Sequence, residues 1–139
     1  MSKMVRAHVM VILLLADDDE MSLEMIGKPL TRLGYTVITA GNGKEALETA
    51  RQEGPHLILM DLRMPVMDGF EAAKRLKSDH ATAHIPIVAL SAMNTAVAVQ
   101  RAIDAGCDSF HTKPVNLASL HSKIRRLVTD KVAAGQSSG

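Results

Sequence analysis

Residues 57–71 read LILMDLRMPVMDGFE, and this stretch decides the fold. Leu57–Met60 is an apolar run too short for a helix. It follows Gly54 and Pro55 and reads as a buried strand. The run ends at Asp61. Beyond Pro65 and Gly69, the residues Phe70, Ala73 and Leu76 recur at helical spacing. The unit is strand, acidic loop, helix. Working outward, the same unit occurs five times. The other strand runs are Val9–Ala16, Thr36–Thr39, Ile87–Leu90 and Cys107–Thr112, the last interrupted by Asp108, Ser109 and His111.

The other helices are marked by Leu23, Ile26, Leu30 and Leu33, by Ala46, Leu47 and Ala50, by Thr95–Ala105, and by Leu117, Leu120, Ile124 and Leu127. Gly34, Gly54 and Gly106 are read as helix stops, and Asn94 and Asn116 as N-caps. Pro29 falls inside the first helix and predicts a kink. Strand then helix, five times over, predicts an α/β protein with a doubly wound five-stranded parallel sheet and helices on both faces. One domain is expected over 8–129, with an N-terminal extension at 1–7 and a disordered tail at 130–139.

Composition narrows the function. Of 139 residues, 47% are hydrophobic and 22% charged, a globular balance. Sixteen Lys and Arg against fifteen Asp and Glu leave a net charge of +1, with no overall pull towards nucleic acid. Aromatics are 2%, so platforms for base stacking are not expected. The single cysteine, Cys107, excludes an internal disulfide and a four-cysteine zinc site. Val9–Ala16 is far short of the roughly 20 residues of a membrane helix and runs straight into Asp17–Asp19, unlike a signal peptide. A soluble cytoplasmic protein without membrane insertion is expected.

The polar residues that follow the strands carry the chemistry. Strand one runs into Asp17, Asp18, Asp19 and Glu20, strand three into Asp61, strand four into Ser91, and strand five into Lys113 and Pro114. In an open α/β sheet, ligands bind beyond the carboxyl ends of the strands. Four strands thus deliver acids, a hydroxyl and an ammonium to one rim. Carboxylates ~4 Å apart repel by a few kcal/mol at an effective dielectric near 20. Lys113 offsets one charge. A hard divalent ion, Mg²⁺ or Mn²⁺, suits the remaining oxygen ligands. A carboxylate beside that ion and a lysine can attack phosphorus. Spacing alone does not say which carboxylate.

With LLLADDDE at 13–20, LILMDLRMPVMDGFE at 57–71, IVALSAM at 87–93 and DSFHTKPV at 108–115, the chain resembles the receiver domain of two-component response regulators over about residues 8–129. The resemblance implies a flavodoxin-like sheet of order 2-1-3-4-5, as in a stand-alone chemotaxis regulator, an order already associated with this family. It implies that Asp61 is the phosphoacceptor, that Asp18 binds the metal directly and Asp17 through water, and that the Arg63 backbone carbonyl completes the metal site. Ser91 matches the switch hydroxyl, Lys113 the phosphoryl-binding lysine, and Phe110 the aromatic switch position, usually Tyr. The Lys113–Pro114 bond is expected to be cis. The implied donor is a phosphohistidine on a histidine kinase or phosphotransfer protein, and the chain is not expected to be a turnover enzyme.

About ten residues follow Thr129, too few for an output domain, so signalling is expected through the Thr95–Thr129 face, where Ala96–Val99 is apolar all round. Met1 and the short tail favour a stand-alone chain over the receiver piece of a hybrid kinase. Other readings are weighed on the same residues. A flavodoxin-like carrier needs a phosphate cradle where this chain has DDDE. A metal-dependent phosphohydrolase could use the same acids. A degenerate receiver serving only as an interaction module does not need the full acid, serine and lysine set. Ser91 also reads as a turn residue and Phe110 as core. His80 and His84, before Pro86, read as loop rather than metal ligands. Lys123, Arg125, Arg126 and Lys131 read as a solvated helix end.

Overall fold

The computed structural model describes residues 10–137, with side-chain surroundings to residue 129, so the expected extension at 1–7 lies outside the described residues. Its elements are β1 (Ile12–Ala16), α1 (Glu20–Arg32), β2 (Thr36–Ala40), α2 (Gly43–Glu53), β3 (Leu57–Asp61), α3 (Gly69–Ser78), β4 (Ile87–Ser91), α4 (Ala96–Asp104), β5 (Ser109–Thr112) and α5 (Leu117–Ser137). The strands form one parallel sheet, β2-β1-β3-β4-β5, the expected order.

Every residue of β3 and β4 is buried, which is why their sequences are unbroken apolar runs. Side chains alternate between the two faces. Leu14, Ala16, Ile58 and Met60 meet Ala46, Leu47, Ala50, Ala72, Ala73 and Leu76 of α2 and α3. Leu13, Leu15, Leu57, Leu59, Val88 and Leu90 meet Ile26 and Leu30 of α1 and Leu120 and Ile124 of α5. Each fully buried aliphatic side chain contributes about 1.5–3 kcal/mol, so the central strands are the fixed frame of the site. Edge strand β5 is mixed. Its Phe110 joins a smaller cluster with Leu62, Ala89, Ala102 and Phe70 beneath α4.

Several local expectations are corrected. β1 begins at Ile12; Met10 is exposed, the first ladder pair is Ile12 with Thr36, and Val9, the expected start, lies outside the described residues. β5 begins at Ser109, because the Asp108 carboxylate turns back to accept the Ile87 N–H at 2.8 Å. The cap of α4 is Thr95, whose hydroxyl accepts from the Ala98 N–H at 3.2 Å; Asn94 lies one residue too early. Asn116 caps α5 as expected. At Pro29, where a kink and not a break was expected, α1 does continue, running to Arg32 with the Leu33 N–H bonded to the Pro29 carbonyl. α5 extends to Ser137, into the segment for which a tail was expected; no proline interrupts it there. Lys123 is therefore not at a helix end. It donates to the Phe110 carbonyl at 2.7 Å and lies 3.2 Å from His111 Nδ1, pinning α5 to β5. Arg125 and Arg126 are exposed, and the Lys131 side chain lies outside the described residues. His80 and His84 lie in the turn after α3, as expected. No described helix is long and apolar enough to cross a membrane.

Among described non-glycine residues, only Val66, in the loop after β3, has a positive φ, 67°. A branched Cβ clashes there, and the side chain gains nothing from packing because it is 78% exposed. Val66→Asn is expected to stabilise the fold by about 1 kcal/mol. An unchanged or lower urea midpoint would show that Val66 is not strained.

Candidate functional site

Asp17 immediately follows β1, and its N–H bonds to the Ala40 carbonyl at 2.9 Å, so the strand ladder aims it. It is fully buried. Its Oδ1 accepts the Asp19 N–H at 3.0 Å. Asp18 is exposed at the mouth. Asp19 caps α1, accepting the Met21 N–H at 3.1 Å, and is a structural acid as its position suggests. Asp61 is the last residue of β3 and is 7% exposed. Its Oδ1 accepts the Arg63 N–H at 2.8 Å, while the Arg63 side chain is exposed. Gly69 packs directly on the Asp61 backbone.

Lys113 follows β5 and reaches back across the sheet edge. Its ammonium lies 2.8 Å from Asp17 Oδ2 and 2.9 Å from Asp61 Oδ2. The Lys113–Pro114 bond is cis, as expected. Carboxylate oxygens of Asp17, Asp18 and Asp61 lie within 4.8 Å of one another. Three acids thus face one ammonium, and the described side chains leave no buried polar atom without a partner. Burial pushes the Asp61 carboxyl above its ordinary value; the Lys113 and Arg63 hydrogen bonds oppose this, and the Asp17 charge adds to it. For Lys113, burial pulls the ammonium down, but the hydrogen bonds and charges of Asp17 and Asp61 outweigh it and hold the pKa up. The Lys113 ammonium therefore stays charged beside the two carboxylates.

Ser91 ends β4, fully buried, and the residue just after β5 holds it through the Lys113 N–H to Ser91 carbonyl bond at 2.9 Å. Its Oγ accepts the Met93 N–H at 2.9 Å, so the turn role read from the sequence is present. Phe110 is half-buried in its cluster, and the Arg101 guanidinium stacks on neighbouring Phe70 at 3.8 Å from the ring centroid. Ser22 was not singled out in the sequence. Its Oγ lies 3.4 Å from Lys113 Nζ. It is the third residue of α1, and nothing in its sequence surroundings marks it as a neighbour of Lys113. Cys107 is half-buried, its thiol pushed up to about 11 by burial and by the Asp108 charge, against the pull of Lys77. It is a core residue.

A 2-1-3-4-5 parallel sheet with three acids and a lysine at its carboxyl edge defines a receiver-type signalling domain. Residues 13–125 match the family model described as response regulator receiver domain, and the chain belongs to that family. Receiver domains belong to two-component signalling and are not turnover enzymes, so for residues 13–125 the flavodoxin and phosphohydrolase readings fall. It is 32% identical to the polar-differentiation response regulator DivK of Brucella anthropi over 117 residues, 84% of this chain and 95% of DivK. It is 34% identical over 132 residues to the response regulator PleD of Caulobacter vibrioides, covering 91% of this chain but only 29% of PleD's length. Among solved structures, the chemotaxis protein CheY4 of Vibrio cholerae matches with a TM-score of 0.81 at 30% identity, covering 86% of this chain and 99% of that one. The receiver domain of sensor histidine kinase PA1611 from Pseudomonas aeruginosa PAO1, with a magnesium ion coordinated in its active-site cleft, matches with a TM-score of 0.82 at 28% identity, covering 87% and 99%.

Proposed function

We propose that this domain accepts a phosphoryl group on Asp61 from a phosphohistidine of a histidine kinase or phosphotransfer protein, and that the acyl phosphate switches a protein-binding face. The observation that carries the proposal is the Lys113 ammonium bridging Asp17 and Asp61. In the transfer, an Asp61 oxygen attacks phosphorus in line, the P–N bond breaks, and the imidazole leaves with the electron pair and takes a proton. Lys113 stands where it can pair with the phosphoryl oxygens.

The donor set is three carboxylates against one ammonium, which fits a hard divalent cation such as Mg²⁺ or Mn²⁺. Asp18 and Asp61 would bind it directly, with the Arg63 backbone carbonyl. Both Asp17 oxygens already serve Asp19 and Lys113, which supports ligation by Asp17 through water. When bound, the ion offsets charge on the phosphoryl oxygens.

The Ser91 hydroxyl accepts from Met93 and keeps its proton, so it can donate to a phosphoryl oxygen. Moving that loop shifts the packing available to Phe110, a population shift driven by contacts with the phosphoryl group. The readout face is Thr95–Thr129. There Val97 is 69% exposed and Ile103 57% on a helix whose buried residues are only Ala98 and Ala102. No direct nucleic-acid contact is part of the proposal. Titrating a cognate partner against Val97→Asp and Val99→Asp tests the face; affinity unchanged in both removes it.

Intact-mass measurement after acetyl phosphate treatment tests the main reading. One phosphoryl adduct is expected on the wild type, dependent on divalent metal, and none on Asp61→Asn. Equal adducts on both would refute the assignment of Asp61.

A further inference from the structure

An ammonium has three N–H donors, and the structure gives a direction to all three on Lys113. Two point to Asp17 Oδ2 at 2.8 Å and Asp61 Oδ2 at 2.9 Å. The third points to Ser22 Oγ at 3.4 Å. The Ser22 hydroxyl proton is directed at Asp19 Oδ2, 3.3 Å away, which leaves a lone pair for the ammonium. Asp19 is itself fixed as the cap of α1. The series Lys113, Ser22, Asp19 ties the tip of a flexible four-carbon side chain to the start of a 13-residue helix.

Of the three partners of the ammonium, Asp17 and Ser22 are unchanged through the reaction and Asp61 is not. Asp61 changes its charge and its bonding when phosphorylated. Ser22 is a neutral acceptor that does neither. It restrains the ammonium without adding a fourth negative charge to a rim that already has a surplus.

We infer that Ser22 is a positioning residue for phosphoryl transfer, its hydroxyl holding the Lys113 ammonium over Asp61 while charge develops on the incoming group. The inference rests on the phosphoacceptor reading of Asp61. At 3.4 Å the bond is long, so its loss is expected to slow transfer and not abolish it.

The test is the rate of adduct formation against acetyl phosphate concentration at saturating Mg²⁺. Ser22→Thr keeps a hydroxyl, and Ser22→Val has nearly the same shape without one. The limiting rate of Ser22→Val is expected to fall about five-fold, with the half-saturating acetyl phosphate concentration little changed, and Ser22→Thr is expected to match the wild type. A Val variant as fast as wild type overturns the inference. So does a Thr variant as slow as the Val variant. Adduct on the wild type in either case leaves the Asp61 reading standing; no adduct on the wild type overturns both.

Discussion

Lys113→Met is expected to lower the rate of Asp61 phosphorylation by about 100-fold, the cost of removing one preorganised donor from a developing anion. The variant leaves Asp17, fully buried, and Asp61, nearly so, facing each other without a cation. Removing one partner of a buried pair strands the other charge, and a loss of about 2 kcal/mol in stability is expected after allowing for the partial exposure of Lys113. Urea unfolding without divalent metal reads the second effect, because a bound cation would replace the missing charge. Lys113→Arg keeps the charge but presents a planar fork in place of a point donor, and is expected to fall between. If Lys113→Met is phosphorylated at the wild-type rate, the ammonium plays no part in transfer.

Gly69→Ala is expected to cost about 3 kcal/mol and to slow phosphorylation with it. A Cβ at Gly69 would lie 2.3 Å from the Asp61 carbonyl oxygen and 2.8 Å from Leu62 Cα. Both neighbours are backbone of the central strand and its exit, so neither can yield as a side-chain tip would. Any relief must move Asp61. Gly41→Ala is the control: no atom lies within 4 Å of its added Cβ, and little change is expected. Equal urea midpoints for the two variants would contradict the close approach.

The sheet was legible because its three inner strands are buried on both faces and therefore written as plain apolar runs. Its limits were less so. Met10 and Val11 are apolar yet lie outside β1, and Asp108 interrupts the fifth run because its carboxylate accepts the N–H of Ile87 at the start of β4. Capping moved by one residue, from Asn94 to Thr95, since both types can cap and only the backbone geometry chooses. At the site, Asp17, Asp61 and Lys113 could be named from their places after strands, and the structure brings them within hydrogen-bonding distance. Ser22 could not, because its partner is 91 residues away and its own neighbours look like an ordinary helix start. Lys123 is hidden for the same reason: a helix lysine reads as solvated until the strand whose Phe110 carbonyl it reaches is placed beside it.

The central claim is that one carboxylate, at the end of β3, receives the phosphoryl group. An acyl phosphate is reduced by borohydride to an alcohol, converting the modified aspartate to homoserine. Peptide mass mapping after phosphorylation and borohydride treatment is expected to find homoserine at position 61 and nowhere else. Homoserine at 17 or 18, or an adduct that resists borohydride, would contradict it.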